Sequence, residues 1–136
     1  MNKNAESRAR RLFAGVNSSL SRTDPEFVEI ISNFSQDETA NANILTEKER
    51  MLCILAALLG CQGMGEFQNM LHAALNIGVD PVAIKETIYQ ATAYLGIGRT
   101  YDFLLIANEV MEQRGVELPL APQATVEAET RFKKGL

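Results

Sequence analysis

The feature of this sequence that most constrains the fold is a run of nine apolar residues, Met51–Leu59, near the middle of the chain. Thr46 and Glu49 stand just before it at the spacing of a capping box, which starts a helix. Because the run is about half of the ~20 residues that span a membrane, it predicts no transmembrane helix. A helix that is apolar on every face must be covered on every face. We therefore expect a central helix over 47–59, buried on all sides within a domain or an oligomer.

Caps, prolines and glycines divide the rest of the chain into further helices. Asp24-Pro25 and Asp80-Pro81 each place a capping side chain before a proline at the first helical position. Hardly any stretch alternates apolar and polar residues as a strand does, so the sequence predicts an all-α fold. The predicted helices cover 6–20, 25–34, 47–59, 66–77, 81–95 and 99–114, with a polar loop at 35–43.

The sequence predicts one folded domain with an additional segment at each end. We expect an N-terminal helix and basic arm at 1–24, a helical domain at 25–115 and an extended C-terminal tail at 116–136. Hydrophobic residues make up 46% of the chain and charged residues 22%, a balance that excludes wholesale disorder.

Charge and targeting signals exclude further classes of function. With a net charge of -4, the chain lacks the excess of positive charge that is typical of proteins that bind nucleic acid or an anionic membrane. The basic arm, with Arg8, Arg10 and Arg11, is expected to dock on the acidic body of the protein. No apolar run of signal-peptide length follows the N-terminus, so we expect a cytoplasmic chain with Cys53 and Cys61 reduced.

Two stretches of the sequence carry a resemblance to a known family. Residues 73–86 read AALNIGVDPVAIKE, and residues 89–96 read YQATAYLG before a helix that contains Asn108-Glu109-Val110. Over about 27–112 the chain resembles the carboxymuconolactone decarboxylase family, which includes the alkyl hydroperoxidase D-like thiol proteins. The resemblance implies a single-domain helical bundle of that type. It also implies a homo-oligomer, such as a trimer or hexamer, and chemistry without a cofactor.

The positions that carry the active site in this family are occupied differently here. Counted back from Gly78, the usual histidine position falls on Met70, and the glutamate of the thiol branch falls near Met51. His72 is two residues from Met70, about 200° around a helix, so it points to nearly the opposite side. Glu66, four residues before Met70, matches an acidic position of the decarboxylase-like motif.

The thiol branch of the family uses a Cys-x-x-Cys pair, which this chain lacks. Met64 stands where the second cysteine would follow Cys61, and a thioether cannot form a disulfide. Cys53 lies eight residues before Cys61, about 12 Å along a straight helix and beyond the reach of a disulfide. Cys53 is expected in the core. Cys61, next to three glycines, remains a candidate nucleophile that an external thiol would have to resolve.

Several residues are candidates for chemistry on a small acid, and each also has a structural interpretation. A lone histidine on an amphipathic helix, such as His72, is more often structural or solvent-facing than catalytic, and a glutamate in a first helical turn is favoured by the helix dipole. Tyrosines pack as often as they orient a ligand. One histidine without a carboxylate-histidine helix motif predicts no metal site. The candidates are Glu66 and His72 as acid–base groups, Arg99 as a carboxylate-binding cation, and Tyr89, Gln90 and Tyr94 as substrate-binding groups.

Three functions remain open from the sequence. The first is a lyase on a small carboxylated lactone or related acid, and the second is a thiol-dependent, peroxiredoxin-like peroxidase that uses Cys61. The third is a non-catalytic subunit or half-domain of a larger assembly. This last interpretation draws on a weak echo between residues 11–16, RLFAGV, and residues 131–136, RFKKGL, as if a second repeat began there. The expected partners are copies of the same chain and a small acid, with no nucleic acid and no membrane.

Overall fold

The computed structural model describes residues 1–42 and 44–134, and every regular element within them is helical, as predicted. Within that part of the chain, no helix combines the length and apolar content needed to cross a membrane. A π-helical turn spans Phe34–Glu38. The helices are α1 (Lys3–Leu12), α2 (Leu20–Thr23), α3 (Pro25–Asn33), α4 (Thr39–Asn41), α5 (Glu47–Gly60), α6 (Met64–Asn76), α7 (Pro81–Leu95), α8 (Ile97–Gln113) and α9 (Arg131–Lys134).

The predicted starts of α5 and α7 are confirmed by their caps. The Thr46 hydroxyl accepts a hydrogen bond from the Glu49 backbone N–H, and the Glu49 carboxylate accepts one from the Thr46 N–H. Hydrogen bonds from Thr46, that of its side chain first, hold the pKa of Glu49 below its usual value. Asp80 caps α7 by accepting from the Val82 N–H at 2.9 Å. Both helices therefore begin where local sequence signals place them.

The predicted first helix, 6–20, is wrong at both ends. α1 begins at Lys3, where Asn2 accepts a hydrogen bond from the Ala5 N–H, and it ends at Leu12. Gly15 follows in the left-handed region at φ +78°, a conformation that glycine adopts without the steric cost of a side chain. The chain therefore turns after α1, and α2 starts a separate short helix at Leu20.

The predicted loop at 35–43 is largely helical instead. The π-helical turn and α4 continue directly from α3. Two arginines from other elements bind carbonyls of the turn: Arg8 donates to Gln36 O at 2.6 Å, and Arg50 donates to Ser35 O at 2.7 Å. These partners stabilise a polar segment whose own sequence is typical of a loop. Asn43, the last residue of the predicted loop, lies outside the described residues.

The hydrophobic core lies among α5, α6, α7 and α8. Phe67 of α6 and Phe103 of α8 meet edge to face, with ring centroids 5.0 Å apart and an interplanar angle of 87°. The Thr92 and Thr100 hydroxyls, 2.9 Å apart, join α7 to α8 beside this core. Further fully buried side chains are Leu55 and Leu59 of α5, Leu71 of α6, Ile84 and Ile88 of α7, and Ala107 and Val110 of α8.

Within the described chain, α5 is buried on one side only. Met51, Leu55 and Leu59 recur every four residues and face the core, whereas Cys53 and Ala56 are exposed. The expectation that Cys53 lies in the core is therefore wrong. Helical geometry explains why Cys53 is exposed, because Cys53 lies about 200° around the helix from both Met51 and Leu55. An apolar run alone does not say which of its faces the same chain covers.

The N-terminal arm docks on the body of the protein, as its charge predicts. Arg11 donates two hydrogen bonds to the Glu47 carboxylate, at 2.8 and 2.5 Å. The Asn76 side-chain amide donates to the carbonyls of Leu12 at 2.7 Å and Ala14 at 3.1 Å. These contacts tie the end of α1 to α5 and α6.

The C-terminal segment after α8 has little regular structure before α9. Val116 and Leu118 at its start pack against the core. The division of the chain at residues 25 and 115 stays a prediction. Gly135 and Leu136, which complete the echo of residues 11–16, lie outside the described residues.

Candidate functional site

A cavity lies between α7, α8 and the C-terminal segment. Its volume is about 880 Å³, and it is half-open to solvent. That volume is typical of sites for small molecules. We call it the Lys85 cavity. Its lining includes Val82, Lys85, Glu86 and Tyr89 from α7, Asn108 and Glu112 from α8, and residues 118–124 with Arg131 from the C-terminal segment.

Lys85 is the most unusual residue of this cavity, because only 8% of it is exposed. Its Nζ donates a hydrogen bond to the Asn108 Oδ1 on the neighbouring helix. Burial lowers the pKa of Lys85 because it disfavours the charged form, and the nearby Glu112 opposes that effect in part. Lysines are rarely buried to this extent unless they are paired or functional. Lys85 therefore carries an amine that loses its proton more readily than an ordinary lysine.

The other polar groups that line the cavity come from three elements. Tyr89 lies one helical turn after Lys85 on the same face of α7 and is half-exposed. Glu112 on α8 contributes a carboxylate, and Arg131 on the C-terminal segment contributes a cation. The arrangement offers two basic groups and a phenol to a small acid, together with apolar side chains against its carbon skeleton. Among the residues predicted from sequence, Tyr89 is one that this cavity does contain.

The predicted catalytic residues Glu66, His72 and Cys61 lie elsewhere. Glu66 is exposed in the first turn of α6, where its carboxylate accepts from the Asn69 side chain at 3.1 Å. His72 is half-buried six residues later, about 9 Å along the helix and about 120° around it. Within the described part of the chain, the lining of the Lys85 cavity includes none of these three. Their catalytic roles stay predictions.

Cys61 directly follows the last residue of α5, and its exposed thiol is not bonded to Cys53. Its Sγ donates to the Leu58 carbonyl at 3.6 Å. Because α5 continues unbroken to Gly60, the eight residues from Cys53 to Cys61 span about 12 Å. Two thiols so placed cannot form a disulfide within one chain. A redox cycle at Cys61 would need a thiol from outside the chain.

The other predicted substrate-binding residues are exposed and apart from the cavity. Arg99 lies in the first turn of α8, and Tyr94, near the end of α7, is 89% exposed. Gln90 follows Tyr89 by one residue, about 100° around α7, and shares a helix face with Tyr94. The helix thus separates Lys85 and Tyr89, which line the cavity, from Gln90 and Tyr94. The roles of these three residues stay predictions.

Met51 and Met70, the residues that sequence reasoning placed near active-site positions, both pack in or against the core. Met51 is fully buried in the core, and Met70 is half-buried and packs against it. Thioether side chains fill irregular spaces and carry no proton that catalysis could use. This region therefore contributes packing to the fold.

The cavity residues that sequence reasoning missed include Lys85, Asn108, Glu112 and Arg131. A weak signal existed for Lys85, since it directly follows Ile84 in the apolar stripe of α7. A lysine beside a buried position is usually an ordinary solvated residue. Only the packing of α7 on α8 brings Lys85 to Asn108, which lies 23 residues further along the chain.

His72 has a perturbed environment that gives a testable pH dependence. Burial first, and the nearby Arg114 second, lower the pKa of His72 below its usual value. Acidification from about pH 7.5 to 5 should therefore lower the free energy of unfolding, because the unfolded chain binds a proton that the folded chain resists. The contribution of His72 is present above its ordinary pKa and is lost as pH falls through the folded value.

Urea unfolding across this pH range measures the effect, with His72→Gln as the matched variant. The variant should lose stability less steeply on acidification than the parent protein, since both share every other titrating group. Identical pH slopes for the two proteins would contradict this interpretation of the His72 environment.

Comparison with known proteins is informative at the level of the family. The family model described as the carboxymuconolactone decarboxylase family matches residues 25–109, which is more than half of the chain. A search of curated proteins finds none that matches this sequence. The match covers the helices from α3 to most of α8, including Lys85, Tyr89 and Asn108.

Proposed function

Because the chain belongs to the carboxymuconolactone decarboxylase family, we propose that it is a cofactor-free lyase acting on a small acid in the Lys85 cavity. The substrate class is a small carboxylated lactone or a related acid. The observation that carries this proposal is the nearly buried amine of Lys85, hydrogen-bonded to Asn108, beside a cavity of about 880 Å³. Family membership supports the reaction class, and the cavity supports the binding of a small molecule.

The chemistry that this reaction requires matches the groups around the cavity. The carbon–carbon bond to the carboxylate breaks, carbon dioxide leaves, and the electron pair moves towards a carbonyl group of the substrate. A positive charge beside that carbonyl stabilises the developing enolate, and Lys85 is the group that supplies it. Arg131 binds the substrate carboxylate before the bond breaks. A proton then adds to the carbon, from Tyr89 or from water.

Turnover of 4-carboxymuconolactone, followed by its ultraviolet absorbance, tests this function together with carbon dioxide release from other small acids. We expect decarboxylation of at least one acid of this class. His72→Ala and Glu66→Ala are measured alongside, because loss of turnover in either would favour a proton donor on α6. No carbon dioxide from any of these acids at high protein concentration would contradict the lyase proposal. That result would favour the non-catalytic subunit instead. The packing of Met51 in the core and of Met70 against it supports this alternative.

The exposed thiol of Cys61 favours a second candidate function, a thiol-dependent peroxidase. In that reaction the Cys61 thiolate attacks the peroxide O–O bond, becomes a sulfenic acid and releases water or an alcohol. An external thiol must then reduce the sulfenic acid, because Cys53 is out of reach. Thiol titration after peroxide treatment tests it: unchanged reactivity of Cys61 would remove this candidate.

We also propose that copies of the chain assemble as a homo-oligomer, because two apolar helix faces lack a partner within the described chain. One is the face of α5 that carries Cys53 and Ala56. The other is a stripe on α3 and the adjoining turn, whose exposed members are Phe27, Ile30, Ile31 and Phe34. Such contiguous apolar faces are typical of subunit interfaces.

If a second copy covers the α5 face, the two cysteines should differ in reactivity. We expect Cys61 to react rapidly with a maleimide in the native protein, and Cys53 to react at least about tenfold more slowly, because burial blocks access to a thiol. Peptide mass mapping assigns the label, and light scattering gives the subunit number. A monomer in which both cysteines react equally fast would contradict the oligomer.

A further inference from the structure

We propose that Lys85 acts as an imine-forming lysine, and that the acid that the Lys85 cavity accepts is a 3-oxo acid. The inference rests on the proposed lyase function and narrows its substrate class. In this proposal a covalent bond forms between Lys85 Nζ and the carbonyl carbon of the substrate. The protonated imine that results places a positive charge at the reacting centre.

The first argument is that Lys85 is buried and that Glu112 lies near it without forming an ion pair. The other lysines of the chain, Lys3, Lys48, Lys133 and Lys134, are all exposed. Among the described residues, no carboxylate forms an ion pair with Lys85. A structural lysine at this depth would be expected to have such a partner, because an isolated buried charge is costly. A desolvated lysine with a neutral hydrogen-bond partner is instead typical of amine nucleophiles.

The second argument is the direction in which the amine is held. Lys85 Nζ donates a hydrogen bond to the Asn108 Oδ1. This acceptor is a neutral amide oxygen, so the hydrogen bond does not require the amine to be charged. A neutral amine can donate this hydrogen bond and keep its lone pair free for attack on a carbonyl carbon. Burial favours that neutral form by lowering the pKa of Lys85. The amine is thus oriented by α8 while its stem is held on α7.

The third argument is the set of groups within the same cavity. Tyr89, one turn along α7, supplies a phenol that can pass a proton to the departing oxygen. Glu112 on α8 supplies a carboxylate that can take up the proton that the attacking amine loses. Arg131 supplies a cation for the carboxylate of the acid. An amine, an acid, a base and a carboxylate binder together suit an oxo acid.

The proposed steps balance without an oxidant, a reductant or a cofactor. The neutral Lys85 Nζ attacks the carbonyl carbon, and the carbonyl oxygen leaves as water after it has gained two protons. The product is a protonated imine. The carbon–carbon bond to the carboxylate then breaks, carbon dioxide leaves, and the electron pair moves to the imine nitrogen to give an enamine. A proton adds to the carbon, and water hydrolyses the imine and restores the Lys85 amine.

Borohydride trapping on the full chain tests the inference, with acetoacetate as the probe. Reduction of the imine attaches the probe permanently, and peptide mass mapping identifies the modified lysine. We expect nearly one label per chain at Lys85, with the mass of an adduct that has lost carbon dioxide. Lys85→Met and Lys85→Arg should reduce labelling at least about tenfold, since neither side chain can form an imine. The matched exposed variant Lys48→Met should label like the parent protein.

The outcomes separate this inference from the function on which it rests. A label on Lys85 that retains the carboxylate, with no carbon dioxide release from acetoacetate above the uncatalysed rate, supports the imine and contradicts the lyase. Carbon dioxide release from acetoacetate without any label on Lys85 supports the lyase and overturns the imine. Labelling spread equally over Lys85 and the exposed lysines overturns the inference as well. Lys85→Arg keeps a cation in place, so its loss of labelling does not depend on the tolerance of the fold for methionine.

Discussion

Replacing Lys85 with methionine is expected to lower kcat/KM for the acid substrate by about 10²- to 10⁴-fold, the usual loss when a group acting on a proton or charge is removed. Methionine matches the apolar stem of lysine but carries no amine. The Asn108 amide that loses its partner is half-exposed, so water can replace the lost hydrogen bond. The fold should therefore persist, with a free energy of unfolding at least equal to that of the parent protein.

Steady-state kinetics and urea unfolding on the same preparations check both halves of this prediction. Lys48→Met is the matched control, because it makes the same substitution at an exposed lysine outside the described cavity lining. Unchanged kcat/KM in Lys85→Met, together with a large loss in His72→Ala, would move the site to α6. A Lys85→Met protein that fails to fold would show that the amine is structural and would contradict the prediction for stability.

Replacing Phe67 with alanine is expected to lower the free energy of unfolding by about 3–5 kcal/mol, the usual cost of removing a buried ring. Phe67 is fully buried, and its edge-to-face contact with Phe103 connects α6 to α8. Since small domains are stable by about 5–15 kcal/mol, this one change should remove a large part of the total.

Denaturant unfolding of Phe67→Ala and Phe132→Ala measures this contribution. Phe132 is 79% exposed on α9, so its replacement should change stability by no more than about 0.5 kcal/mol. Comparable losses in the two variants would contradict the assignment of Phe67 to the centre of the core.

The parts of the fold that follow from local chemistry were predictable from the sequence. Thr46 and Asp80 cap their helices with side chains that reach only two or three residues along the chain. By contrast, the helical turns at 34–41 are bound by Arg8 and Arg50, which approach from other elements. A pattern confined to residues 35–43 contains no information about those two partners.

The burial of α5 shows a second limit of sequence reasoning. The run Met51–Leu59 predicts a helix that must be covered, and the structure covers the face of Met51 and Leu55 from the same chain. It leaves Cys53 exposed. Hydrophobic content shows that a face prefers burial, but not whether the same chain or another copy provides the cover.

The candidate site was only partly predictable for a related reason. Tyr89 was identified because polar groups among apolar neighbours suggest a pocket, and it does line the Lys85 cavity. Lys85 becomes distinctive only once α8 brings Asn108 to its amine and the C-terminal segment encloses the space. Burial of a charged group depends on distant segments, and so neither periodicity nor spacing reveals it.

The central claim is that the Lys85 cavity binds the substrate acid, and a crystal structure with an unreactive saturated lactone carboxylate tests it most directly. We predict the ligand between α7 and α8, with an oxygen atom about 2.7–3.2 Å from Lys85 Nζ or from the Arg131 guanidinium. A ligand bound instead beside Glu66 and His72 on α6, with the Lys85 cavity empty at a saturating concentration, would contradict the account.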